Sequence, residues 1–174
     1  THSPPPLGSP LTTDPTAPER WVQWHCGQEG ELDPYLADLD ILVINHGINP
    51  QGVQDPSTVD RALEINALSS WRLMRRFEQI ALAETNRGPR ELWVNTSEAE
   101  IQPAVSPVYE LSKRLIGQLV SLRGANLGPD LRQHLVIRKL VLGPFRSELN
   151  PIGVMAAEFV VRQVLMQVGL GLRL

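Results

Sequence analysis

The 174-residue chain is 42% hydrophobic and 20% charged with a formal net charge of −3, an ordinary composition for a globular domain long enough to bury a sizeable core. No Lys/Arg cluster is dense enough to hold a polyanion, and 5% aromatic residues leave little surface for stacking bases. The single cysteine, Cys26, excludes an internal disulfide, and His2, His25, His46 and His134 show no metal-ligand spacing.

No apolar run approaches the roughly 20 residues of a membrane span, and the N-terminus has no secretory pattern. These features lead us to expect a reducing, cytoplasmic setting and no metal. Residues 1–18 hold six of the fifteen prolines and read as a flexible lead-in, with residues 19–174 forming the folded part. Trp21-Val22-Gln23-Trp24 alternates apolar and polar residues and predicts a short strand. A short helix is expected over Asp33 to Leu39, with Pro34 at its start.

Asp40 to Ile44 is a continuous β-branched and apolar run, the pattern of a strand buried on both faces. It ends in Asn45-His46-Gly47, where glycine permits close backbone approach. Asp55-Pro56-Ser57 then opens a long helix whose stripe runs Val59, Leu63, Ala67, Ser70, Met74, Phe77 and Ala81. Asn66 lies beside that stripe, a poor place for an asparagine unless it has a partner.

Leu92-Trp93-Val94 is the next strand, followed by polar Asn95-Thr96-Ser97 and a loop with Pro103 and Pro107. The helix after it is expected to bury Leu111, Leu115, Leu119 and Leu122. Leu135 to Leu142 is another buried strand, ending in Gly143-Pro144, and a last helix covers roughly Val154 to Val168. Strands alternating with helices predict an α/β fold: a Rossmann-like, three-layer parallel sheet with helices on both faces. Ligands of such sheets sit beyond the carboxyl ends of the strands, where Asn45–Gly47, Thr96–Ser97 and Gly143–Ser147 all fall.

Tyr109 and Lys113 lie one helical turn apart and so share a face. An ammonium beside a phenol favours the phenolate, so the Tyr109 pKa is expected below its ordinary value of about 10. With a hydroxyl from Thr96 or Ser97 nearby, the set suits proton transfer to or from a carbonyl or alcohol oxygen. A lone Y-x-x-x-K is common by chance; its weight comes from converging with the strand ends.

Together these residues resemble the short-chain dehydrogenase/reductase family over about Trp21 to Val168. Asn45-His46-Gly47 is similar to the family's Asn-Ala-Gly turn, Asn66 falls at its helix asparagine, and Tyr109 and Lys113 match its catalytic pair. Gly143-Pro144 resembles its Pro-Gly turn in reversed order, and Ser147 lies near a hydroxyl that contacts the nicotinamide amide. Glu91–Arg114 with Gly143–Val154 also resembles a cyanobacterial group of sterol desaturase/short-chain dehydrogenase proteins, whose membrane portion lies upstream.

The resemblance implies an NAD(P)-dependent oxidoreductase. Tyr109 would move the proton, Lys113 would hold the ribose, Ser97 would orient the substrate oxygen and Asn66 would position a relay water. Asn45, His46, Gly47, Gly143, Pro144 and Ser147 would line the cofactor. It also implies a small carbonyl or alcohol substrate and a homodimer through the two long helices.

Three departures stand out. The glycine-rich T-G-x-x-x-G-x-G phosphate turn is missing, so the fold is expected to be N-terminally truncated, with no helix N-terminus left for the pyrophosphate. The serine position falls among Thr96, Ser97 and Glu98, of which Ser97 is preferred. The aspartate that borders adenine in relatives is missing from His25-Cys26-Gly27, and NAD versus NADP preference is not readable. The competing reading is a binding or regulatory module that keeps the fold without turnover, or a fragment unable to hold a dinucleotide alone.

Overall fold

The computed structural model of the chain describes residues 22–84, 86–147 and 149–171. The proline-rich stretch 1–18 and Trp21 lie outside them. Val22 to Trp24 form no strand, contrary to the alternation. Trp24 instead is a partly buried side chain packed against the core and edge-on against His46 with ring centroids 5.5 Å apart.

Helix α1 (Asp33–Leu36) leads into strand β1 (Ile41–Ile44). Helix α2 (Pro56–Leu63) is capped by Asp55, whose carboxylate accepts the Thr58 N–H at 3.1 Å, the N-cap its sequence promised. It passes through one wide π turn (Glu64–Leu68) into α3 (Ser69–Ala83). Strand β2 (Arg90–Ser97) takes in the polar Asn95–Ser97 as well as the apolar run. After α4 (Pro107–Ala125) and the short α5 (Pro129–His134), β3 covers the expected Leu135–Leu142, and α6 (Ala157–Gly169) follows.

The three strands form one parallel sheet in the order β1-β2-β3. Ile41 pairs with Glu91 across β1 and β2, and Arg90 with Leu135 across β2 and β3. Leu92, Val94, Leu135 and Ile137 from one sheet face meet Met74, Phe77, Ile116 and Val120 from α3 and α4 in a single core. Because the strands are parallel, all three carboxyl ends emerge on the same side.

Helix α4 presents a different face from the one its leucines suggest. Leu111 and Leu122 are 51% and 58% exposed, and Leu115 and Leu119 are half-buried. Val108, Ser112, Lys113, Ile116, Gly117 and Val120 are the buried set. Small residues are needed there, because the turn Glu98–Glu100 packs directly on the helix. A Cβ on Gly117 would overlap the Glu100 carboxylate.

Candidate functional site

Beyond the strand ends lies a cavity of 620 Å³. Its floor is built from the residues that follow each strand: Asn45 and His46 after β1, Asn95 to Glu98 at the end of β2, Gly143 and Pro144 after β3. Tyr109 and Lys113 enter from the first two turns of α4, and Ser147 from the loop beyond β3. Gly47 and Asn66 stand behind this lining. A Cβ on Gly47 would lie 3.1 Å from the Asn66 Oδ1 and 3.7 Å from the Lys113 Nζ, so glycine keeps the space between them open.

Asn66 has the partners its awkward position demanded. Its Oδ1 accepts the Ile48 N–H at 2.7 Å, and its Nδ2 donates to the Ile48 carbonyl at 2.9 Å and to Ser112 Oγ at 2.8 Å. Ser112 Oγ in turn donates to the Tyr109 carbonyl at 2.8 Å. Asn66 therefore ties the loop after β1 to the start of α4, and both its amide protons are spent on protein. The wide turn that contains it is of a kind often found at functional sites.

The three candidates for the serine position separate cleanly. Thr96 is buried, its Oγ1 3.4 Å from the Leu140 carbonyl within the sheet. Glu98 lines the cavity and takes a hydrogen bond from Gln102 at 3.3 Å. Ser97 caps the turn Glu98–Glu100 by accepting the Ala99 N–H at 3.2 Å, and its hydroxyl also acts on the Tyr109 phenol.

Lys113 Nζ sits 5.7 Å from the Tyr109 ring centroid. The expected lowering of the phenol does not occur. Burial raises the Tyr109 pKa, the Ser97 hydroxyl partly offsets this and the Glu98 charge adds to it, so desolvation sets the direction of the shift. Lys113 is itself the group driven from its ordinary value. Burial pulls it down to about 8 against an upward pull from Glu100. It is 6% exposed, and no hydrogen-bond acceptor meets its Nζ among the described residues.

Other polar groups here carry no motif signal. Asn95 donates to Asn45 Oδ1 at 2.8 Å, while its own Oδ1 is buried without a partner. Ser106 stands at the N-cap of α4 without capping it, and its buried Oγ is also unpartnered. A serine before Pro107 reads as an ordinary cap in sequence, which hides this. Gly143 is tight for a different reason: a Cβ there would lie 2.8 Å from Met155 Cε. Among the described residues no group of His, Cys, Asp and Glu side chains is placed to hold a metal, and no helix is long and apolar enough to cross a membrane.

No protein-family model matches the sequence. The chain is 48% identical over 156 residues to the monoglucosyldiacylglycerol epimerase of Synechocystis sp., a match that takes in 88% of this chain and 36% of that protein. In structure it is similar to the bulky-bulky ketone specific alcohol dehydrogenase of Comamonas testosteroni, with a TM-score of 0.70 at 19% identity over 85% of this chain and 61% of that one. A short chain dehydrogenase of Burkholderia cenocepacia in complex with NADP also gives 0.70, at 18% identity over 83% and 62%. So does a short-chain dehydrogenase of Sphingobium yanoikuyae in complex with NADPH, at 16% identity over 83% and 61%. The chain thus spans about a third of the curated relative and three-fifths of these dehydrogenases. It has the short-chain dehydrogenase/reductase fold, and its 174-residue sequence carries no T-G-x-x-x-G-x-G motif.

Proposed function

We propose that this chain is the proton-handling and substrate-binding part of an NAD(P)-dependent oxidoreductase acting on a carbinol or carbonyl carbon. The observation that carries the reading is the buried Lys113 ammonium, which lacks an acceptor while lying over the Tyr109 ring beside Ser97. A buried charge without a hydrogen-bond acceptor is costly, and it is retained where a ligand completes it. Vicinal ribose hydroxyls are the fitting acceptors. Asn45, His46, Gly143, Pro144 and Ser147 would flank the nicotinamide end, and Gly47 leaves the room that a side chain would fill. When bound, the nicotinamide supplies the two-electron hydride acceptor or donor.

The protein's own work is at oxygen. Ser97 orients the substrate hydroxyl or carbonyl, and Tyr109 takes or gives the proton there. A phenol raised by burial is neutral at pH 7 and is set to donate towards a carbonyl oxygen. Asn66 fixes the register of the site through Ile48 and Ser112 rather than touching substrate. The relative's name suggests how such chemistry serves an epimerase. Oxidation of a sugar carbinol gives a planar carbonyl, and reduction from the opposite face returns the inverted alcohol with no net redox change.

Equilibrium binding of NADH and NADPH to the full-length protein tests the reading. Binding that is lost in Lys113→Met, together with turnover that is lost in Tyr109→Phe, supports it. Failure of the full-length protein to bind either nucleotide would leave a non-catalytic module of the same fold.

A further inference from the structure

The chain holds only two lysines, Lys113 and Lys139; all its other long basic side chains are arginine. One carboxylate, Glu100, stands between them. Lys139 Nζ donates to Glu100 Oε1 and to Ser121 Oγ, each at 2.8 Å. The second oxygen, Glu100 Oε2, is buried and accepts nothing, and it fills the space that a Cβ on Gly117 would take. The Glu100 side chain is 8% exposed, so bulk water screens its charge little.

Lys113, Gly117 and Ser121 follow one another at intervals of four residues and form one row along α4. The charges on that row alternate: the Lys113 ammonium, the Glu100 carboxylate over Gly117, the Lys139 ammonium over Ser121. Each step is roughly one helical pitch of about 5 Å. The carboxylate is therefore nearer to Lys113 than the second ammonium is, and its attraction outweighs the repulsion. The same carboxylate pulls Lys113 upward against its burial. A pin between turn and strand explains the Lys139 bond. It does not explain a buried, unpaired oxygen held against bare helix, which is costly unless the charge is used.

The other charges around α4 are accounted for. Tyr109, Glu98 and His46 share the cavity with Lys113, and Glu110 pairs with Arg114 on the helix itself. Asp60 and Arg61 of α2 are exposed, and Glu64 of the wide turn is paired with Arg72. Glu78 of α3 is paired with Arg123 at the far end of α4. In the sheet, Glu91 is paired with Arg138 and Arg90 with Glu84.

We propose that Glu100 is a positioning residue for the reaction inferred above: its carboxylate, locked between Lys139 and Gly117, is the fixed counter-charge of the Lys113 ammonium. It acts from behind the residues that line the cavity and leaves Lys113 charged to meet the ribose hydroxyls. This deepens the oxidoreductase reading and rests on it for the ribose, although the pairing of charges itself requires no nucleotide.

The test follows Lys113 in the full-length protein in two ways, of which the first, urea unfolding across about pH 6 to 10, needs no ligand. In the wild type, stability begins to rise near pH 8, where folded Lys113 releases its proton. In Glu100→Gln, which keeps the shape and removes the charge, the rise should begin about one pH unit lower. In Lys139→Met, which removes the opposing ammonium and leaves the carboxylate, it should begin higher. Both variants weaken the Glu100–Lys139 pair, so a mere pin would lower stability at every pH and leave the onset in place. NADPH affinity, measured across the same range, should fall on the alkaline side at the same displaced pH in each variant. An unchanged onset in Glu100→Gln, or onsets that move the same way in both variants, would overturn the proposal. A wild type that binds neither NADPH nor NADH, with onsets that still move in opposite directions, would sink the oxidoreductase reading and leave the counter-charge standing.

Discussion

Lys113 is a buried ammonium, and its protonation couples to folding. Its pKa is about 8 in the fold against an ordinary 10.5. Below pH 8 both folded and unfolded chains carry the proton, so the full cost of burying the ammonium is present. Between pH 8 and 10.5 the folded state releases it first, the unfolded chain binds more protons, and stability rises with pH. The gain approaches about 3 kcal/mol over that window, until the raised Tyr109 begins to act in the opposite sense above its ordinary 10. Urea unfolding at pH 7.5 and 9.5 should show the rise in the wild type and not in Lys113→Met. That variant should also be more stable at neutral pH by about 1–4 kcal/mol, since it replaces a buried ammonium whose desolvation Glu100 only partly offsets with an apolar chain. A flat profile would show that Lys113 finds an acceptor in solution.

Tyr109→Phe should lower kcat by about 10²–10⁴-fold with nucleotide affinity retained, the usual worth of a positioned proton donor. The pairing of Tyr109 with Lys113 was legible in the sequence because helical spacing dictates it. The direction of the tyrosine shift was not. Tyr109 lines the cavity together with Ser97, Ser106, Gly143 and Ile152, residues far apart in the chain, and burial by such neighbours does not show in local spacing.

At the scale of elements, the wide turn Glu64–Leu68 and the small face of α4 decide where the site stands. Asn66→Ala would strand the part-buried Ile48 N–H and carbonyl, while the Ser112 hydroxyl keeps its bond to the Tyr109 carbonyl. Each buried unsatisfied group costs about 1–3 kcal/mol, so the variant should lose several degrees in a thermal melt along with activity. Spacing betrayed that this asparagine needs a partner, but the apolar stripe runs through the turn without a visible break. The face of α4 was misread because leucines carry more hydrophobic weight than Ser112 or Gly117. Close approach of Glu100 selects small residues there, and sequence alone does not show that approach. Lys139 Nζ donates to Glu100 Oε1 at 2.8 Å and to Ser121 Oγ at 2.8 Å, so the carboxylate is held in place. Gly117→Ala should therefore destabilise the protein by about 1–3 kcal/mol, the usual cost of overpacking. Part of that loss should return in Gly117→Ala/Glu100→Ala.

For the whole molecule, the parallel sense and ligand end of the sheet were readable from alternating elements, because parallel strands carry unbroken apolar runs, although β1, expected to be buried on both faces, leaves one face half-exposed. What covers the remaining apolar surface was not readable. Ile41 and Val43 on β1 are 45% and 49% exposed, and Phe159, Val161, Leu165 and Met166 of α6 are each more than half exposed. Leu111 and Leu122 add to this on α4, with Leu68 and Leu82 also exposed along the preceding long helix. Apolar area on this scale is normally covered by further chain or by a partner. We expect the full-length protein to associate through the α4 face. Light scattering should give at least a dimer, and Leu111→Glu/Leu122→Glu should shift it towards the monomer.

The loop that carries Ile152 is fastened at its base. The Arg146 N–H donates to the Met155 carbonyl at 2.8 Å, and the Val154 N–H to the Pro144 carbonyl at 2.9 Å. Between them a Cβ on Gly153 would run into the Phe145 carbonyl group and the Arg146 nitrogen, so two lengths of main chain touch with nothing between them. That rivet fixes how far the tip reaches over the opening, whatever side chains the tip bears. Even a methyl group at 153 would prise the two lengths apart and carry residues 151 and 152 away with them.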